Sequence, residues 1–385
     1  DLLVSSVGQV LSKGIEHGYA FGSFQGGNGG LQTYVVSGGI DLQSGSVLNA
    51  GGGNGYNTPN YTTTGGTGGA ITLSGVNGVM LRGSVMNMGG NGYRGGAGGA
   101  LSVSSSASYV DYGGVLSSQG GNGYNSSYQS GSGGNISLNG FGGLSLRGDV
   151  NAGAGSVGNS GIGGTISLTD GNGVLTSGGG VNDGLVGGVL KGRDVIKYGT
   201  GVLGISGANV YTGFTNVIAG KLYLLQAESI PSLSVLTLSA GTVLDMGGVS
   251  ETVGSLAGSG KVTSSVSGGV LLTVGGDNTS PTYLGILEDG LGVLSVTKQG
   301  TGTWSVSGAN SYSGLTLVNA GVMSVGHSSG LGTVASGTQV SSGASLELYG
   351  GISVGAEPLS LLGIGRSSLG ALRNLSGVNS YAGEI

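Results

Sequence analysis

Through the first 170 residues, large aliphatic and small polar residues alternate in short runs: Ile71-Thr72-Leu73, Leu101-Ser102-Val103, Ile136-Ser137-Leu138 and Ile166-Ser167-Leu168. A period of two places both aliphatics on one face of a strand and the hydroxyl on the other. A glycine pair leads each run, and its second glycine (Gly69, Gly99, Gly134, Gly164) recurs at intervals of 30, 35 and 30 residues. A second strand is predicted at Met80 to Val85 and at Leu144 to Val150. A Gly-Gly-Asn-Gly-Tyr loop then follows at 52–56, 89–93 and 120–124, with a degenerate version at 26–30. Strands this short bury no core alone, so they must stack. Dense glycine fits frequent corners, where a missing Cβ permits positive φ. The prediction is an all-β, glycine-rich solenoid, a parallel β-helix in which each rung pairs with the next.

In such a stack, equivalent residues of successive coils lie about 4.8 Å apart and can form side-chain ladders. The ladder or contact candidates are Asn54, Asn91 and Asn122 with Tyr56, Tyr93 and Tyr124, together with Tyr128. The cycle is too long for one plain coil, which leaves two coils, or one coil with a loop excursion. Lengths varying from 30 to 37 residues place unequal loops on that face, such as 57–64 and 125–130.

The C-terminal half follows a different rule. Lys298, Gly300, Thr301, Gly302, Gly308, Ala309, Asn310, Tyr312, Gly314, Thr316, Ala320 and Gly321 have counterparts 101 residues earlier, from Lys197 to Gly220, with 14 identities in 24 positions. A third copy begins at Gly377-Val378-Asn379-Ser380-Tyr381-Ala382-Gly383, and the expectation is that the 385 residues are part of a longer chain. The domain reading is therefore glycine-rich cycles over 1–170, a junction over 171–194, and a second repeat region over 195–385.

Lys-x-Gly-Thr-Gly followed by Gly-Ala-Asn-x-Tyr-x-Gly-x-Thr and Ala-Gly resembles the autotransporter-associated β-strand repeat of bacterial passenger domains and very large surface proteins. The N-terminal cycles resemble, more loosely, the glycine-rich β-helical segments of such proteins. The resemblance implies a right-handed parallel β-helix displayed outside the cell as stalk, adhesin or spacer. It supplies no catalytic residues.

Composition narrows the choices further. Glycine is 93 of 385 residues and proline only 4, and no Gly-X-Y period is read, which excludes collagen and proline-rich disorder. Only 8% of residues are charged and the net charge is −5, so no basic stripe exists for nucleic acid or anionic membrane surfaces. Cysteine is absent, removing disulfides and thiolate metal sites, and no apolar run reaches the ~20 residues of a membrane span.

The sequence carries no recognisable catalytic pattern. His17 and His327 are far apart, and no Gly-x-Ser-x-Gly frames a nucleophile. Glu288-Asp289 is the one adjacent acidic pair and reads as a solvated turn rather than half of a glycosidase dyad. The Ca²⁺-binding Gly-Gly-x-Gly-x-Asp nonapeptide is missing, and no cofactor is implied. Sixteen tyrosines against one Trp are the remaining oddity. Loop tyrosines give amphipathic surface for self-association or glycan contact, or each lids its own coil corner. Tyr211, Tyr312 and Trp304 are predicted core. The expected function is a non-enzymatic, extracellular rod acting as stalk or fibre subunit. Its partners are expected to be further copies, other surface proteins or glycans. The alternatives are a glycan-binding adhesin and a polysaccharide-processing enzyme.

Overall fold

The computed structural model describes residues 2–4, 9–11, 27–55, 63–108, 110–124, 127–141, 144–146, 149–155, 161–170, 184–186, 190–206 and 208–385. Tyr56, Tyr61, Tyr109 and His17 lie outside these residues, as does most of 171–192. Apart from the single 3₁₀ turn Arg366–Ser368, the regular elements among the described residues are strands. They pair in parallel throughout, the architecture of a β-helix. The chain divides into two compact units, Asp1–Gly213 and Phe214–Ile385.

In the first unit the cycles that begin at Gln32, Ile71, Leu101 and Ile136 are each one coil of three short strands followed by a long glycine-rich excursion. One coil runs Ile71–Gly75, Val79–Leu81, Ser84–Met86, and the next runs Leu101–Ser105, Val110–Tyr112, Val115–Ser117. Registers are unbroken, with Ile71 opposite Leu101 and Leu101 opposite Ile136, Val79 opposite Val110, and Val85 opposite Leu116. The aliphatics of each alternating run point inward: Ile71, Leu73, Leu101, Val103, Ile136, Leu138, Ile166 and Leu168 are all buried. Each contributes about 2 kcal/mol of apolar burial, available only because the next coil covers it. The strand predicted over Met80 to Val85 is in fact two strands. A corner at Arg82-Gly83 separates them, where both backbone N–H groups donate to the carbonyl of Leu42.

The excursions are neither strand nor helix. An outgoing arm (for example 87–92) and a returning arm (94–100) run antiparallel, with Gly96 N–H donating to Gly90 O and Gly99 N–H to Asn87 O. Each arm also pairs in parallel with the equivalent arm of the next coil. Gly65 donates to Arg94 O, Gly68 to Ala97 O and Ile71 to Ala100 O, in steps of three residues. A third set closes the lattice, as Gly90 N–H donates to Gly66 O and Gly121 N–H to Gly96 O. Successive N–H groups thus point in three directions, the threefold geometry of a chain with three residues per turn. The arms form a polyglycine bundle.

This revises the role read for glycine. In the arms described here φ is not left-handed, and glycine is required by close approach instead. A Cβ on Gly65 would lie 1.7 Å from Gly90 O, and one on Gly96 would lie 2.1 Å from Gly66 O. The position before the closing glycine pair, as in Gly-x-Gly-Gly, faces away from the bundle and carries the side chain: Thr67, Ala97, Ser132 and Ile162. A period of three therefore exists inside each arm, although no such period runs along the chain.

The second unit has no such arms, and its coils recur every 19–27 residues. One sheet stacks Thr215–Val217, Val235–Leu238, Ser255–Gly258, Thr282–Tyr283, Thr303–Val306, Val322–Val325, Ser345–Tyr349 and Leu372–Ser376. A second stacks Glu251–Val253, Gly268–Val274, Gly292–Lys298, Thr316–Val318, Thr338–Val340 and Leu359–Leu361. Here glycine does take positive φ at corners, for example Gly300 (φ 70) and Gly321 (φ 67). Trp304 is buried at its strand position, with its indole N–H donating to Leu256 O at 3.0 Å.

Candidate functional site

Among the described residues no pocket gathers catalytic side chains. Glu288 pairs with Lys261 at 3.0 Å, and Asp289 accepts from Leu294 N–H at 2.8 Å and Ser313 N–H at 3.1 Å, so both carboxylates tie down local structure. His327 Nδ1 lies 3.1 Å from Ser329 N within its own turn. Among the described residues no three His, Asp or Glu side chains gather as a metal site. A cleft of about 630 Å³ beside Thr338, Gln339 and Ser360 includes one carboxylate, Glu384, among its lining residues.

The surface features that do repeat lie on the glycine arms. Asn54 Oδ1 accepts the backbone N–H of Asn91 at 2.9 Å, and Asn91 Oδ1 accepts that of Asn122 at 2.8 Å. Each amide thereby satisfies an outward N–H that the bundle leaves without a backbone acceptor. Tyr93, on one coil, meets Tyr124 and Tyr128 of the following coil. Tyr93 and Tyr124 rings stack with centroids 6.2 Å apart and planes 12° apart, whereas Tyr93 and Tyr128 are 3.8 Å apart at 46°. The hydroxyls of Tyr93 and Tyr128 are hydrogen-bonded to each other. That bond, followed by burial, raises the Tyr93 phenol above its ordinary pKa. Tyr124 is 49% exposed, so the group is a surface feature. Tyr56 lies outside the described residues.

The repeated motif of the C-terminal half proves to be internal. Lys298 is buried, and its ammonium donates to the carbonyls of Gln299, Gly300 and Ala320 at 2.7, 3.0 and 3.2 Å. Lys197 binds the carbonyls of Tyr198 and Gly199 at 2.7 and 2.8 Å in the same way. Lysine followed by x-Gly is thus a corner that wraps its own carbonyls around a buried cation. Burial, then the Arg366 guanidinium, pushes Lys298 down to about 8, with Asp277 opposing.

The motif asparagine acts between coils. Asn209, Asn310 and Asn379 accept the N–H of Leu190, Leu287 and Ile352 at 2.7, 2.9 and 2.8 Å, one in each copy. Tyr312 is buried, with its hydroxyl 2.6 Å from that of Thr316, and Tyr211 is also buried. The sequence pattern located these residues without showing that lysine and asparagine are buried polar clips; their recurrence among apolar alternation was the available signal.

The architecture defines a class: a repeat protein built as a parallel β-helix, its recurrent motif residues engaged in holding the coils. Comparison with known proteins finds likeness over parts of the chain. Residues 195–224 and 296–325 match the passenger-associated-transport-repeat, the two copies that hold the buried lysines. The chain is also 38% identical over 165 residues to the adhesin BmaC autotransporter of Brucella suis biovar 1 (strain 1330), a match covering 42% of this chain and 4% of that protein. No solved structure matches. The chain is similar to autotransporter passenger repeat proteins, and this likeness indicates an extracellular place, at the cell surface.

Proposed function

We propose that this chain is a non-enzymatic structural segment of a large surface protein, serving as stalk or fibre subunit. Glycine-rich cycles over 1–170 and passenger repeats over 195–385 would be joined through 171–194. The observation carrying the reading is that each described coil hands its full hydrogen-bonding register to the next, while its recurrent polar residues are consumed in holding that register. Such a segment transmits load along the stack and presents a sparsely charged surface. Electron microscopy of native material tests it: rods or periodic fibres containing this segment are expected. A compact particle with no extended element would overturn it.

A second reading is adhesion to glycans or neighbouring surface proteins. It is favoured by the stacked, exposed tyrosines beside side-chain amides, a combination suited to sugar faces and hydroxyls, and by the relative's description as an adhesin. Saturable binding to a glycan array, lost in Tyr124→Ala, would support it. Equal binding by the variant would sink this assignment of the contact surface.

A further inference from the structure

We propose that Tyr93 and Tyr128 form an oxidative cross-linking site, where a peroxide-driven, peroxidase-class oxidant joins two successive coils through a dityrosine bond. The inference stands apart from the stalk and adhesin readings, because it concerns a covalent modification within the chain.

The two rings come from adjacent coils, 35 residues apart in sequence, yet their centroids are 3.8 Å apart and their hydroxyls share a hydrogen bond. Tyr124 also stacks against Tyr93, with centroids 6.2 Å apart. Tyr93 and Tyr128 are part-exposed and Tyr124 more so, and an external oxidant can therefore reach the group. The arms that hold them are pinned by the backbone bonds of Gly92 to Asn122 and Gly95 to Gln129, so the rings are placed before any radical forms. The surrounding bundle has almost no side chains to pack, and a chain with no cysteine has no disulfide to fasten one coil to the next.

The chemistry balances with hydrogen peroxide as the oxidant. Each phenol gives up its O–H hydrogen as one proton and one electron. The two radicals combine through a new bond between ring carbons ortho to the oxygens. The hydrogen on each bonded carbon then moves to its own oxygen, restoring two phenols. The net loss of two hydrogens reduces one peroxide to two waters.

The test treats the full chain with hydrogen peroxide and a haem peroxidase at two protein concentrations tenfold apart, followed by peptide mass mapping. The expected product is a Tyr93–Tyr128 joined peptide two hydrogen masses lighter than its parts, at a yield per chain unchanged by dilution. Tyr128→Phe and Tyr93→Phe should each lower that product more than tenfold. The buried Tyr112, Tyr283 and Tyr312 serve as internal controls and should stay unmodified. The proposal fails if the joined peptide is absent while Tyr124 is oxidised, if Tyr93 joins Tyr124 instead, or if yield falls in proportion to dilution. Should a Phe variant unfold, the wild-type map alone still decides between these outcomes.

Discussion

Replacing one arm glycine by alanine separates the polyglycine bundle from an ordinary glycine-rich loop, because the two make predictions of opposite sign. At Gly121 an added Cβ would stand 2.0 Å from Gly90 O, 2.5 Å from Gly90 C and 2.9 Å from Gly89 O, all backbone atoms that no rotamer change can move. Ordinary carbon contacts begin near ~3.5 Å, so the arms must part by about 1.5 Å. Such a displacement breaks the bonds from Gly121 N–H to Gly96 O and from Gly131 N–H to Gly121 O, both 2.8 Å in the native bundle. At about 1 kcal/mol for each bond, plus 1–3 kcal/mol of overpacking, Gly121→Ala should cost roughly 3–5 kcal/mol. Gly113 is the control, since no atom lies within 4 Å of its added Cβ and its φ is not left-handed. There Gly→Ala should be neutral or stabilise by about 0.4–1 kcal/mol, through loss of unfolded-chain entropy. Native-state hydrogen exchange resolved by peptide is the assay, because solenoid coils open locally and a single global midpoint would average them. Gly121→Ala should accelerate exchange across 87–100 and 118–135 while leaving 255–306 unchanged. Protection in those arms equal to wild type would refute the close-packed lattice.

The remaining predictions address the second unit. Lys298→Met removes the donor from three carbonyls and should destabilise by about 3 kcal/mol, read as a lower urea midpoint. Asn310→Ala leaves Leu287 N–H and Gly330 O without their side-chain partner at a buried site, and should cost about 2 kcal/mol in the same assay. Glu251 gives the pH dependence: burial pushes its carboxyl up to about 8 despite N–H bonds from Ser229 and Ile230. Because the folded value lies above the unfolded one, this contribution is complete below about pH 4.5 and is lost as pH rises through 8, by an amount on the order of 5 kcal/mol. Wild-type stability measured by urea unfolding between pH 5 and 8 should fall, and Glu251→Gln should flatten that slope; an unchanged slope would remove Glu251 as its source.

What the sequence disclosed followed from how each residue's role is encoded. Ile71-Thr72-Leu73 and its successors announce parallel rungs because a strand's period of two is written in adjacent positions. The 101-residue repeat announces itself by identity, and it led to the family later matched at 195–224 and 296–325. The arms were less legible. Gly65 and Gly68, or Gly96 and Gly99, recur every third residue for only two turns, too briefly for a chain-wide period to register. Glycine is moreover ambiguous by itself. At Gly300 it answers a positive φ, and at Gly96 it answers a carbonyl 2.1 Å from where a Cβ would be; one letter serves both needs. The lysines were hidden for a related reason, since an ammonium enclosed by carbonyls of its own corner requires no acidic partner in the sequence.

These two uses of glycine predict a different tolerance of the two units to variation. In the first, backbone packs against backbone in three directions, so arm length can change from coil to coil while the arm's interior must stay bare. Sequence variation is thereby driven to the outward third position and to the tips, where Thr67, Ile162, Tyr93 and Tyr124 stand. In the second, side chains fill the coil and the fixed positions are clips, Lys298 at a corner and Asn310 between rungs. A surface protein assembled from both can alter what it presents in the first unit without disturbing register, while the clips of the second hold register without presenting anything. Substitutions at outward arm positions should accordingly change binding without changing exchange protection, whereas substitutions at the clips should change protection first.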